Sequence, residues 1–321
     1  MDKTRSAYIS SCEVSEIAEV TLGGYSQKIA IEGKSKSLPV VITLHGGPGS
    51  PVPFSVGCRG LFPEWTDAAV MVYWDQLGCG INNAAVDNLN TEAFVNMTVD
   101  LVGEIKKRFP ENKLYLFGIS WGSVLALKTA VRVPELLNGV MVYGQVLKNL
   151  FFNDEVLSAF ESAPKGKKLA VHNIIKTNTD CEYKVLDANM KKLYKLLKKH
   201  TNAYTNKNSK PLAVGKIVKG LIASPDYTFK DFKAIVNNGY RQNEILWREL
   251  LEADLSDELS KVRVKYLLLQ GDTDIITSTK FLLSEDFGNE NVTVRVIKNS
   301  GHIPSAAAME ECIETLKQFI R

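Results

Sequence analysis

The stretch that decides the fold is "LYLFGISWGS", Leu114 to Ser123. It opens as a run of apolar and aromatic residues and delivers a polar hydroxyl inside Gly118-Ile119-Ser120-Trp121-Gly122, a G-x-S-x-G pattern. As a bare pattern this recurs by chance. Its setting is what gives it meaning, because a strand-like run precedes it and "WGSVLALKTAVRVP", helical until Pro134, follows. Strand, sharp turn and helix are the context in which a serine is lifted clear as a nucleophile. The flanking glycines let strand and helix approach without side-chain clash, and the helix N-terminus puts a positive dipole end near developing negative charge.

Working outward, the same form repeats. "LPVVITLHGG", "AAVMVYWDQLG", "LNGVMVYG", "VKYLLLQGD" and "VTVRVIKNSGH" are near-continuous apolar runs, the pattern of parallel strands buried on both faces. "EVTLGGYSQKIAIEG" reads as a hairpin around Gly23-Gly24. Helical segments lie between, such as "TEAFVNMTVDLVGEIKKRF" with basic residues at its C-terminal end. Strands alternating with helices predict a mostly parallel α/β sheet.

A serine hydroxyl needs a base to take its proton. The chain has four histidines, His45, His172, His200 and His302. In a fold of this form the order is serine, acid, histidine, and only His302, in "KNSGHIP" after the last strand, fits from a C-terminal loop. The acid comes from "YLLLQGDTDIIT". Spacing past the strand end prefers Asp274, with Asp272 as the alternative. Its task is to hold the imidazole tautomer and stabilise the imidazolium. Two backbone donors must meet the oxyanion. The N–H of Trp121 is one, and Gly47 in "HGGPG" is the other choice, since glycine lets backbone approach a substrate closely.

The rhythm breaks after Gly144 and resumes at Val264. The chain reads as two parts of one core, residues 1–145 and 244–321, around an inserted, mainly helical cap at 146–243. "MKKLYKLLKKH" is the clearest amphipathic piece of that cap. The insertion carries 17 lysines and 1 arginine against 8 acidic residues, a net +10, which leaves −7 for the remainder of a chain whose total is +3. Such a surface is either plain solvated lysine or an attraction for an anionic substrate.

With 45% hydrophobic and 23% charged residues the composition is that of a soluble globular chain. Five scattered cysteines without a CxxC pair predict neither a disulfide framework nor a structural zinc site. The N-terminus lacks the apolar segment of a signal peptide, and no run approaches the ~18 apolar residues of a membrane span. The small net charge gives no case for nucleic acid. The expectation is a cytoplasmic protein, a monomer by default.

"HGGPGS" (His45 to Ser50), "WDQLGCG" (Trp74 to Gly80), "GISWGS", "GDTD" and "SGHIP" together resemble the proline iminopeptidase-like branch of the α/β-hydrolases. The resemblance covers roughly residues 10–145 and 244–321. It implies an α/β-hydrolase fold, a Ser120–Asp274–His302 triad, an oxyanion hole at Gly47 and Trp121, no metal and no cofactor, and a small-molecule or short-peptide substrate. It also implies a helical cap after the sixth strand, and an Asp75 that braces loops around the site. Aminopeptidases of this kind grip the substrate amine with cap glutamates. Here no cap acid stands in such a motif, and Gly46 and Glu244 are the substrate-binding candidates. The readings that follow are an aminopeptidase releasing an N-terminal proline or small apolar residue, or an esterase, thioesterase or lactonase with the same triad. A non-catalytic small-ligand receptor is the third.

Overall fold

The computed structural model describes residues 3–177, 179–237, 240 and 243–321. A short helix α1 (Lys3–Ser11) precedes the hairpin of β1 (Val14–Leu22) and β2 (Tyr25–Gly33). The chain continues through β3 (Val40–Leu44), the single turn α2 (Pro63–Thr66), β4 (Val70–Trp74) and α3 (Thr91–Arg108). Then come β5 (Leu114–Ile119), α4 (Trp121–Arg132) and β6 (Gly139–Tyr143). The eight strands form one sheet in the order β1-β2-β4-β3-β5-β6-β7-β8, where β7 is Lys265–Gly271 and β8 is Val292–Ile297. β1, β2 and β4 pair antiparallel, and every pairing from β4 through β3 to β8 is parallel.

The central strands β3, β4 and β6 are buried at every residue, which is why they read as unbroken apolar runs. β8 departs from that expectation. It is the edge strand, and its residues alternate between half-buried and exposed, with Thr293 and Arg295 facing out. One apolar layer packs α3 and α4 on one face of the sheet, through Phe94, Leu101 and Leu125. The other face is covered by the C-terminal helix (Ala306–Phe319), through Ile313 and Leu316. Burying such leucines and isoleucines contributes about 1.5–3 kcal/mol each. Helix α1 has no apolar periodicity and was invisible in the sequence. It is held instead by Arg5, whose guanidinium donates to the carbonyls of Gly57, Arg59 and Gly220 at 2.7 Å each.

Between β6 and β7 the chain forms α5 (Asp154–Ser158), α6 (Lys165–Thr177), α7 (Tyr183–His200), α8 (Val214–Ile222), α9 (Phe229–Asn237), α10 (Glu244–Glu252) and α11 (Ser256–Ser260). Leu186, Leu193 and Leu197 of α7 are fully buried on one helix face and join the same apolar layer as α3 and α4. Two polar anchors tie the α8–α9 region to the sheet. Arg59 makes a bidentate pair with Asp226 at 2.6 and 2.9 Å, and the Tyr227 hydroxyl donates to Asp75. A third tie is backbone. The 201–211 segment after α7 accepts from the loop after β8, His302 N–H to Ala203 O at 2.7 Å and Ile303 N–H to Tyr204 O at 2.8 Å. The last two helices are α12 (Thr279–Ser284) and α13, the C-terminal helix already placed.

Candidate active site

β5 ends in the sheet's middle, and Ser120 follows it directly as the residue before α4. Its backbone has φ +51° and ψ −118°, a strained conformation for a residue with a side chain. The surroundings enforce it. Ser120 N–H donates to Tyr143 O at 3.0 Å, and Ser120 O accepts from Ser123 N–H at 2.7 Å. A Cβ on Gly122 would lie 1.9 Å from Leu44 O, and one on Gly118 2.6 Å from Gly122 O. Both glycines of the motif are therefore required by backbone packed on backbone.

The C-terminal ends of β7 and β8 bring up the partners. His302 Nε2 lies 2.9 Å from Ser120 Oγ, and its Nδ1 lies 2.8 Å from Asp274 Oδ2. Asp274 is completely buried. Its carboxylate accepts from the N–H of Ile276 at 2.9 Å and of Thr277 at 3.1 Å, and from the Thr277 hydroxyl at 2.8 Å. Gln270 Nε2 adds a longer bond at 3.3 Å. Five donors, the imidazole included, compensate a buried charge that would otherwise be costly. Asp272 goes elsewhere. It accepts from the N–H groups of Asn299 and Ser300 at 2.9 and 3.0 Å and so caps the His302 loop. Tyr143 steadies that loop by donating to Gly301 O at 2.7 Å.

The "HGGPG" turn lies against Ser120. A Cβ on Gly46 would come within 3.4 Å of Ser120 Cβ, and Gly47, at φ +118°, has no room for a side chain beside Gly49 N at 2.6 Å. Gly46 O accepts from Ser50 N–H at 3.1 Å, closing the turn. Trp121 is the first residue of α4, so its N–H is among those a helix leaves without an internal partner. Its indole is buried and donates to Gln76 Oε1 at 2.8 Å.

Ser120, His302, Gly46 and Gly47 open onto a cavity of about 720 Å³. Its walls are mostly apolar, with Leu150, Phe151, Met190, Trp247 and Leu251 among them. Trp247 and Leu251 belong to α10, beyond residue 243, so both sides of that sequence boundary line the cavity. Charge enters only from α7 among the described residues, as Asp187, Lys191 and Lys195, with Asp187 and Lys191 paired. Glu244 is not part of this wall. It sits half-exposed on the first turn of α10 and accepts from Arg248 Nε at 2.7 Å. The pairing of i and i+4 side chains on an exposed helix face takes it out of the cavity. Tyr204 was missed by sequence reading. It lines the cavity and packs its ring edge-on to His302 at 6.2 Å between centroids. Nothing in "TNAYTNKN" marks it, because the loop that carries it acquires meaning only by docking on the His302 loop.

Asp75 is fully buried, accepts from Val56 N–H at 3.0 Å and Ile81 N–H at 3.1 Å, and burial pushes its carboxyl up to about 6. Among the described residues no group of three or more His, Cys, Asp or Glu side chains could hold a metal ion. No helix among them is long and apolar enough to cross a membrane.

Comparison with known proteins agrees with this fold. A family model described as the alpha/beta hydrolase fold matches residues 39–306. The chain belongs to the alpha/beta hydrolase fold family. As an alpha/beta hydrolase it is similar to a Bacillus subtilis (strain 168) protein named "Probable aminopeptidase YbaC", 22% identical over 315 residues, covering 94% of this chain and 95% of that one. It is also similar to the proline iminopeptidase of Lactobacillus acidophilus, 24% identical over 301 residues, with 92% and 95% covered. The crystal structure of a proline iminopeptidase from Mycobacterium smegmatis superposes with a TM-score of 0.62 at 18% identity, over 95% of this chain and 97% of that one. That last likeness is one of fold.

Proposed function

We propose that this alpha/beta hydrolase is a serine hydrolase that moves the acyl group of an amide or ester first to Ser120 and then to water. The observation that carries it is the hydrogen-bonded chain Ser120–His302–Asp274, 2.9 and 2.8 Å, with the serine on a strained turn at a helix N-terminus. Ser120 Oγ attacks the carbonyl carbon as His302 Nε2 takes its proton. Asp274 keeps the Nδ1–H in place and stabilises the imidazolium. The N–H groups of Gly47 and Trp121 receive the oxyanion. His302 returns its proton to the leaving amine or alcohol, then activates the water that releases the acid.

For the substrate, the similarity to aminopeptidases over nine-tenths of the chain supports release of an N-terminal proline or small apolar residue from a short peptide. Asp187 is the carboxylate in the cavity wall that could meet the amine. The helical insertion closes over the sheet as a cap in this reading, and the protein acts as a soluble cytoplasmic monomer. A second reading rests on a specific observation. Asp187 is already paired with Lys191, and Lys195 stands one turn further along the same wall. That balance favours a neutral or anionic acyl substrate, as in a carboxylesterase, thioesterase or lactonase.

One experiment separates them. Prolyl and alanyl amides with free and N-acetylated termini are compared with p-nitrophenyl esters of short acids, reading kcat/KM. Turnover of free-amine amides that disappears on acetylation supports the aminopeptidase. Ester turnover with inert amides overturns it in favour of the esterase. No turnover of either, together with an unreactive Ser120, overturns the serine hydrolase itself.

A further inference from the structure

Behind the glycine turn lies a buried group of side chains that the reaction above does not use. His45 is 2% exposed and Gln76 is fully buried. Gln76 N–H points at His45 Nε2 at 3.0 Å. A backbone N–H can only donate, so Nε2 is the acceptor and the ring proton sits on Nδ1. Nδ1 lies 2.9 Å from Gly46 O and donates to it. The same carbonyl accepts from Ser50 N–H at 3.1 Å. Gly46 C=O and Gly47 N–H are the two ends of one trans peptide unit, and in such a unit they point in opposite directions. Two hydrogen bonds fix the carbonyl, so the Gly47 N–H is aimed away from His45, toward the cavity that Gly46, Gly47 and Ser120 line.

Gln76 connects this peptide to the second donor. Its Nε2 donates to His45 O at 3.2 Å, and its Oε1 accepts from the Trp121 indole at 2.8 Å. Trp121 is the residue whose backbone N–H completes the proposed oxyanion hole. We infer that His45 and Gln76 are positioning residues that fix the Gly47 and Trp121 donors relative to each other before substrate arrives. This rests on the serine-hydrolase reading. Preset donors stabilise an oxyanion without reorganising during the reaction, whereas a peptide plane free to rotate does not. Burial supports the arrangement, since it pushes the imidazole down to about 4 and keeps it a neutral acceptor.

The test uses His45→Leu, Gln76→Leu and His45→Asn in the full chain, with folding checked by circular dichroism. Substrates are p-nitrophenyl acetate and the matching O-aryl thionoacetate, whose sulfur accepts hydrogen bonds poorly. Both leucine variants are expected to lose kcat by roughly tenfold or more with KM little changed. Their ester-to-thionoester rate ratio should fall, because only the oxygen substrate had profited from the hole. His45→Asn puts an amide N–H where Nδ1–H was and should recover part of the loss. Folded variants with wild-type kcat and an unchanged ratio overturn the inference. If His45→Leu does not fold, Gln76→Leu and His45→Asn decide the matter by the same ratio. Labelling of wild-type Ser120 by a fluorophosphonate is read in parallel. Its failure strikes the serine-hydrolase reading, while labelling with an unchanged ratio strikes only this inference.

Discussion

Ser120 pays for its position in backbone strain. A serine at φ +51° and ψ −118° occupies a region that glycine tolerates and other residues enter at about 1–3 kcal/mol. Replacing it by glycine should relieve that strain by more than the ~0.5–1 kcal/mol of chain entropy glycine adds. Ser120→Gly is therefore expected to melt above Ser120→Ala while both lose nearly all turnover. Equal melting points would mean that the turn is relaxed. The acid is tested at the same scale. Asp274 touches His302, and Asp272 touches only loop N–H groups. Asp274→Asn should lower kcat by roughly 10⁴-fold, and Asp272→Asn by far less, with its effect mainly on stability. The opposite ranking in steady-state kinetics would reassign the acid. Spacing in the sequence already favoured Asp274. The five-donor setting that separates it from its neighbour was not legible, because three of those donors come from a turn whose path no pattern encodes.

Elements meet here through glycine and through buried polar anchors. The approach of α4 to β3 leaves no space at Gly122, where a Cβ would fall 1.9 Å from Leu44 O. Gly122→Ala is expected to cost about 3 kcal/mol or more in urea denaturation, since backbone on both sides must move. The α8–α9 region depends instead on Asp75, Tyr227, Arg59 and Asp226. Tyr227→Phe leaves the Asp75 carboxylate with fewer donors and should destabilise by about 1–3 kcal/mol. Faster proteolysis within 212–237 than in wild type would locate the loss there, and an unchanged cleavage pattern would count against the anchor. The strands and the two long core helices were legible because a buried parallel sheet imposes unbroken apolar runs. β8 was read as buried on both faces because "VTVRVI" has the same composition, although its alternating exposure marks an edge. The helices of the insertion were legible as a class but not in arrangement, because their contacts are set by single side chains such as Asp226 and Tyr227.

At the scale of the molecule, two buried groups that directly follow the paired strands β3 and β4 titrate in opposite senses. His45 is pushed from 6.5 down to about 4 by burial. The unfolded chain then binds the extra proton more readily, so this term makes stability rise with pH across roughly 4 to 6.5. Asp75 is pushed from 3.8 up to about 6 by burial. The folded chain holds that proton more readily, so this term makes stability fall as pH rises from roughly 4 to 6. Each amounts to about 3 kcal/mol, and in the wild type they largely offset. Measured against wild type in urea midpoints, His45→Asn should lose stability progressively from pH 4 to 6, and Asp75→Asn should gain it. Curves that stay parallel to wild type would refute the assignment. The backbone bonds from His302 and Ile303 to Ala203 and Tyr204 carry a consequence for how such proteins diversify. A stretch that packs against His302, the general base of the proposed reaction, cannot be exchanged as a free module. Grafting a foreign insertion in place of residues 146–243 would remove part of the seat of His302 along with the substrate wall. Chimeras of that kind should change turnover as well as preference, and successful recombination requires the 201–211 segment and the 298–305 loop to be inherited together.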